Sequence, residues 1–554
     1  MKDLTATSIR SWVTLAMVAV VVVTMLAACG GKQPLVTVPK SAQAGEIVGR
    51  KPCLYERDDA EYVAECGALV VPENRSEPDS RLIVLPVIRV HALTDSPAEP
   101  ILWLAGGPGE SNMESANLTG LIEDRDIVMV GYRGMDGSVV LECPEMARAI
   151  TGVADDLLSE ASIANFGDAM TQCADRLQAE GVDLDGYSIP EVVEDMEAAR
   201  TVLGYERVNL LSGSYGTRVA MIYSWMYPDS LYRSVMIAVN PPGHFVFEPD
   251  VVDAQIAYDA ELCARDSECS TRTDDLAETV RNVSHNMPER WLGIPIDRGK
   301  VRFITPFMLF HRETAATVFD VYLAAEGGDS SGLALLSLAY DFMIPSIVNL
   351  GDFVARGIID YDPERDWITD MDPPSSILGS PTSLLIGTAA QQSGGWPVAP
   401  MPNEFREVQP SKVETLLVSG SIDYSTPSQF AAEELLPALK NGEQVILSEF
   451  GHTADIWSLQ PEATRHLLTT FYAAGEVDDS LFTYQPMSFD VGLMSFPFKG
   501  AGDNYHPVSS LAGSIGSVHR AKSEAAKCCE VLRIGSKMSL LEADALFLCI
   551  QPIT

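Results

Sequence analysis

The sequence predicts an α/β fold: a mostly parallel central sheet flanked by helices, with a helical cap inserted partway along the chain. Three observations carry that prediction. Short apolar runs at 101–104, 127–130 and 208–211 alternate with helical patterns, as in a parallel sheet covered on both faces. Between residues 243 and 404 the rhythm changes to helical segments, among them 250–264 and 313–325, with long proline-containing joins. Strand-like runs then resume at 415–418 and 444–447, with a helix expected between them and another after Pro461.

The elements follow in order. Lys2 and Arg10 precede an apolar run from Trp12 to Ala28, and small residues lead into Cys29, the pattern of an export signal. Residues 1–28 are read as a lipoprotein signal peptide, because Leu26-Ala27-Ala28-Cys29 resembles the lipobox of bacterial lipoproteins. On that reading Cys29 is acylated and anchors the chain to a membrane of the cell envelope. An uncleaved membrane anchor and an ordinary signal peptide are the alternatives; the run is slightly shorter than the ~20 residues a spanning helix needs. All three export the protein. Residues 29–50 are polar and read as a tether.

A first core segment is expected over 51–242. Apolar stretches 68–71 and 82–90 bracket a turn-rich 72–80, a hairpin signature. Helical patterns cover 163–179 and 190–203, the second with Ser188 in a capping position, Pro190 in the first turn and Glu191 three residues on. The cap spans 243–404, and a second core segment spans 405–500. The tail, 501–554, is low in aromatic residues, nearly neutral, and has no evident place in a sheet.

A formal charge of −39 argues against nucleic acid as a partner, since phosphate binding needs clustered lysine and arginine. Export gives the ten cysteines a structural reading, because disulfides persist outside the cytoplasm. Cys53 with Cys66, Cys143 with Cys173, and Cys263 with Cys269 are the expected pairs, although sequence alone does not fix connectivity. Cys528, Cys529 and Cys549 are left as an odd set. No C-x-x-C spacing occurs, so neither zinc nor any other cofactor is expected.

The chemistry is carried by three segments. In Ser212-Gly213-Ser214-Tyr215-Gly216, a strand breaks into a helix around a serine. Such a turn exposes the hydroxyl and aims the next amide, that of Tyr215, at the reacting oxygen. Ser212 stands where this motif usually has glycine. Gly106-Gly107-Pro108-Gly109 follows another strand, and Gly107 is the candidate second oxyanion donor. Asp423 and His452 each lie just past a later strand, in the chain order serine, acid, histidine that this motif requires. Together they read as a catalytic triad of Ser214, Asp423 and His452. Taken singly, the serine motif is equally readable as a structural glycine-rich turn, and the Gly107, Asp423 and His452 segments read more readily as plain turns or an exposed loop.

These segments, with the 131–138 loop Gly-Tyr-Arg-Gly-Met-Asp-Gly-Ser, Gly420-Ser421-Ile422-Asp423 and Gly451-His452, resemble the proline iminopeptidase and tripeptidyl aminopeptidase group of α/β-hydrolases over about residues 53–497. Cys143-Pro144-Glu145 and the Cys263/Cys269 pair look like its secreted branch. The resemblance implies a serine peptidase acting on peptides with a free amino terminus, under a helical cap. Three positions depart from the pattern: Ala105 replaces a histidine, Gly131 an aspartate, and Asp136 a glycine. An esterase or lipase on small acyl substrates is the alternative enzyme, and an inactive hydrolase-fold binding protein is the alternative outside enzymes.

Overall fold

The computed structural model describes residues 37–490, apart from 58–59, 115–118, 154–155 and 400. The expected signal segment with Cys29, and the tail with Cys528, Cys529 and Cys549, lie outside the described residues.

Among the described residues one sheet holds β1 (Ile47–Arg57), β2 (Ala60–Pro72), β3 (Leu82–Val90), β4 (Ala98–Leu104), β5 (Arg125–Val130), β6 (Val208–Gly213), β7 (Leu231–Ile237), β8 (Glu414–Gly420) and β9 (Gly442–Leu447). Their spatial order is β1-β2-β3-β5-β4-β6-β7-β8-β9. The strands from β5 through β9 are parallel, and β1, β2 and β3 extend the sheet antiparallel from the β5 side. Every residue of β5 and β6 is buried, which is why these strands read as unbroken apolar runs rather than alternating ones.

The hairpin expected around 72–80 is present as β2 and β3. The tether, by contrast, is shorter than expected. Ile47 and Val48 pair with Leu69 and Ala68 in β1. Val38 and Ala42 pack with Val48 against Ala68, Val70 and Val84. A few apolar side chains in a polar stretch are enough to hold it on the sheet.

Helices α1 (Pro144–Ile150), α2 (Glu160–Ala179), α3 (Ile189–Leu203) and α4 (Tyr215–Met226) lie between β5 and β7. The start of α3 is capped as the sequence implies, with the Ser188 hydroxyl accepting from the Glu191 amide, and Gly204 ends it at φ 81°. Between β7 and β8 the chain forms α5 (Pro249–Arg265), α6 (Leu276–His285), α7 (Arg298–Met308), α8 (Arg312–Glu326), α9 (Ser331–Ile347), α10 (Leu350–Gly357), α11 (Trp367–Met371) and α12 (Pro381–Ser393). After β9 come α13 (Thr453–Ser458) and α14 (Pro461–Ala474).

The stretch between β8 and β9 is irregular. It passes from one α turn into a π turn over Ala431–Leu435 and a 3₁₀ turn over Leu436–Ala438. Pro437 in that last turn has no amide to continue an α-helical ladder.

Two large buried clusters form. One is built on the sheet with α3, α4 and α14; the other joins the inserted helices to α1 and α2. Disulfides link Cys53 to Cys66, Cys143 to Cys173 and Cys263 to Cys269, as befits a protein that folds in an oxidising compartment.

Candidate active site

The parallel strands end in register: Gly213 of β6 pairs with Ile237 of β7, and Ile237 with Val418 of β8. The loops that follow therefore emerge along one edge, where ligands bind in open α/β sheets.

Ser214 forms the turn from β6 into α4 with φ 53° and ψ −124°. A non-glycine residue held there stores about 1–3 kcal/mol of strain, so its surroundings must enforce it. A Cβ on Gly216 would stand 2.2 Å from the Leu104 carbonyl oxygen, and one on Gly106 only 3.2 Å from Ser214 Cβ. The elbow is thus wedged between β4 and its following loop. Ser212 fits where glycine is usual because its buried hydroxyl donates to the Val235 carbonyl at 3.0 Å. The Ser214 amide donates to the Ile237 carbonyl at 2.9 Å, which ties the elbow to β7.

The loop after β4, expected from the sequence to be the oxyanion loop, is fixed from several sides. The Ala105 amide donates to Asn112 Oδ1 at 2.7 Å, and Asn112 Nδ2 donates to the Trp103 and Val130 carbonyls. The Gly109 amide donates to Asp352 Oδ2 at 3.1 Å, while the Asn349 amide donates to the Gly109 carbonyl at 2.9 Å. Pro108 has no N–H. With the Ala105 and Gly109 amides spent, those of Gly106 and Gly107 are left in this loop. Tyr215 opens α4, where the first amides lack intrahelical acceptors.

The departures at Gly131 and Asp136 are connected. Asp136 accepts from the amides of Tyr132 and Asn112 and from the Ser111 hydroxyl, stitching the 131–138 loop to the oxyanion loop. A Cβ on Gly131 would lie 2.6 Å from Asp136 Cβ and 2.7 Å from Pro86 Cδ. The carboxylate reaches the loop from position 136, and its presence there demands glycine at 131.

His452 Nδ1 faces both oxygens of Asp423, at 3.0 and 2.8 Å. Asp423 is fully buried and also accepts from the Ser425 and Thr426 amides and the Thr426 hydroxyl. It is therefore a satisfied carboxylate that fixes the imidazole's orientation, leaving Nε2 as the nitrogen available for proton transfer. Thr453, next to His452, lies over Gly213: a Cβ added to that glycine would meet Thr453 Cγ2 at 3.3 Å. The serine and histidine loops thus adjoin. Ser214 makes no hydrogen bond to His452; such contacts are often long in substrate-free enzymes and tighten when substrate binds.

The inserted helices contribute more to this edge than the sequence pattern implies. The His452 amide donates to the Phe310 carbonyl at 2.6 Å, and the Phe310 ring lies 5.3 Å from the imidazole. Asp455 accepts from both the Gly451 and Arg312 amides. Asp352, on α10, pairs with Arg356 at 3.1 Å. Asn112, Phe310, Asp352 and Arg356 carry no motif; their roles arise only when distant segments meet.

A cavity of ≈70 Å³ opens beside the oxyanion loop, lined by Pro108, Phe245, Phe247, Phe353 and Trp367 among others. It is apolar and suits a small side chain or acyl group. Among the described residues no group of three or more His, Cys, Asp or Glu is placed to hold a metal ion.

The strand order and a serine elbow beside an aspartate-bound histidine define a serine hydrolase of the α/β-hydrolase class. Comparison with known proteins narrows the likeness. The chain is similar to the serine protease Hip1 of Mycobacterium tuberculosis, with 26% identity over 477 residues, 77% of this chain and 88% of that one. It shares 24% identity over 247 residues with the tripeptidyl aminopeptidase of Streptomyces lividans, 41% of this chain and 45% of that one. Residues 385–481 match the family described as TAP-like protein, a segment that includes Asp423 and His452. Among solved structures, the meta-cleavage product hydrolase of Pseudomonas fluorescens IP01 overlaps with a TM-score of 0.34 and 12% identity, over 71% of this chain and 96% of that one. That overlap adds nothing to the strand order itself.

Proposed function

We propose that the protein is an exported serine peptidase that releases short units from the amino termini of peptides. Ser214 is the nucleophile, His452 the general base and then acid, and Asp423 the residue that orients the imidazole and steadies the imidazolium. His452 takes the Ser214 proton as the hydroxyl oxygen attacks the scissile carbonyl. The amides of Tyr215 and Gly107 donate to the oxyanion; in the Gly107 loop the Ala105 and Gly109 amides are already committed. The proton passes to the leaving amine, an acyl-enzyme remains, and water repeats the sequence.

The observation that carries the peptidase reading is the similarity to a serine protease across 77% of the chain. The Streptomyces relative supports the aminopeptidase part. The inserted helices gripping both loops suit a site that admits chain ends. Cys29 as a lipid anchor completes the proposal.

Matched substrates with one acyl part test it, each with a free or acetylated amino terminus and each as amide and ester. Amide cleavage with strong preference for the free amine is expected. Cleavage of esters alone, indifferent to the amine, would make the enzyme an esterase.

A further inference from the structure

An aminopeptidase needs a group that recognises a protonated amine near the scissile carbonyl. Most carboxylates around this site are already committed. Asp423 holds His452, and Asp136 accepts three hydrogen bonds. Asp352 holds Gly109 and Arg356, and Asp455 holds Gly451 and Arg312. Glu449 accepts from the Tyr484 hydroxyl and the Met487 amide.

Glu110 differs. It directly follows Gly109, its side chain is exposed, and it has no hydrogen-bond or ion-pair partner among the described residues. A Cβ on Gly107 would lie 3.4 Å from Glu110 Cβ, so the side chain starts beside the proposed oxyanion donor. The loop presenting it is rigid on both sides: Gly109 is bonded to Asp352 and Asn349, and Ser111 and Asn112 to Asp136. Protein crowding around the carboxylate pushes its pKa up, and electrostatic attraction to His452 opposes the shift. Solvent reaches Glu110, and its carboxylate lies near enough to His452 to interact with it electrostatically. Glu114 lies close enough to add a second negative charge.

We infer that Glu110 anchors the α-ammonium of the substrate, holding a free chain end so that the carbonyl one to three residues on meets Ser214. This rests on the aminopeptidase reading and assigns its specificity to one side chain. An extended chain advances about 3.5 Å per residue, so such a chain end lies within about 10 Å of the carbonyl. The loop then divides the acyl half of the substrate: Pro108 faces the apolar cavity and can meet a side chain, while Glu110 meets the amine. A partly desolvated carboxylate gains a charge-assisted partner when the ammonium arrives, which a blocked amine cannot supply.

The test compares wild type with Glu110→Gln and Glu110→Asp on aminoacyl-, dipeptidyl- and tripeptidyl-anilides, each free and N-acetylated, after thermal melts establish that the variants fold. For Glu110→Gln, KM for free-amine substrates should rise about tenfold to a hundredfold with kcat changed far less. The ratio of kcat/KM for free over acetylated substrate should fall in proportion, and Glu110→Asp should restore part of it. A folded Glu110→Gln enzyme that keeps the wild-type ratio would overturn the assignment while leaving the aminopeptidase reading intact. A wild type indifferent to acetylation would remove both.

Discussion

The elbow that carries Ser214 is shaped by the sheet and the loops next to it, whereas the loops carrying Gly107 and His452 are also tied to the inserted segment. Residues 212–216 are set by contacts with Leu104, Val235 and Ile237 on neighbouring strands: Gly216 against Leu104, Ser212 to Val235 and Ser214 to Ile237. The oxyanion loop is gripped by Asn349 and Asp352, and the histidine loop by Phe310 and Arg312. The proposed nucleophile thus belongs to the core, and its proposed partners belong to the joint between core and cap. Changes at the elbow should therefore remove chemistry outright, while changes in the cap should loosen geometry and lower turnover by degrees.

The largest effect is expected at the elbow. Ser214→Ala removes the nucleophile while keeping a Cβ at a strained position, so turnover should drop by about 10⁴-fold or more without loss of thermal stability. A folded Ser214→Ala variant with near wild-type amide hydrolysis would discard the triad. Covalent labelling by a fluorophosphonate, lost in the same variant, checks the nucleophile independently of substrate choice.

Asp352→Ala tests the joint. It deletes the acceptor for the Gly109 amide and strands Arg356, which is fully buried. Removing one partner of a buried pair costs about 3–5 kcal/mol, read as a lower melting temperature. If the grip matters for catalysis, kcat should also fall by roughly tenfold to a hundredfold at temperatures where the variant remains folded, approaching the loss seen when one oxyanion donor is removed. Normal kcat in a destabilised but folded variant would reduce the contact to packing.

The same division explains what is legible in the sequence. Ser214, Asp423, His452 and the glycines announce themselves because each sits at a strand end in a pattern set by local backbone geometry, and Gly216 has no room for a side chain. Asn112, Phe310 and Asp352 are invisible in one dimension: Asp352 lies 243 residues from the amide it accepts. Gly131 and Asp136 look like two unrelated departures until the structure shows them in contact. The start of β1 is hidden because Ile47 and Val48 sit in a polar neighbourhood, where apolar periodicity is too short to register.

Asp259, on α5, offers a test of the cap without touching either loop. It is buried with no hydrogen-bond partner among the described residues, and burial raises its pKa to about 8. The unfolded chain ionises near pH 4, while the folded protein keeps this carboxyl neutral until near pH 8. Between those values the unfolded state has lost the proton that the folded state retains. Stability from this group is thus complete below about pH 4 and declines as pH rises towards 8. Asp259→Asn, which cannot ionise, should raise stability at pH 8 by several kcal/mol, with an upper bound of about 6 from linkage, and change little at pH 4. Equal melting shifts at both values would show that Asp259 is not the buried acid this geometry describes.

The disulfides give the finest comparison, because two of them sit on opposite sides of the division. Cys53–Cys66 joins β1 to β2 at the sheet's antiparallel edge. Cys143–Cys173 lies under α10: a Cβ on Gly351 would meet Cys143 Sγ at 2.8 Å, and the next residue is Asp352. Loop-closure entropy gives about 3 kcal/mol for the first, with 13 residues of separation, and about 3.7 for the second, with 30. Stability therefore hardly distinguishes them, but activity should. Replacing Cys143 and Cys173 by alanine lets α10 shift against Leu141 and passes that slack to Asp352 and Gly109, so kcat should fall by about two- to fivefold, on the scale of sub-ångström misplacement of a reacting group. Replacing Cys53 and Cys66 should lower the melting temperature to a similar extent and leave kcat unaltered. Equal kcat losses in the two double variants would mean that the grip of the cap on the oxyanion loop does not depend on what lies beneath α10.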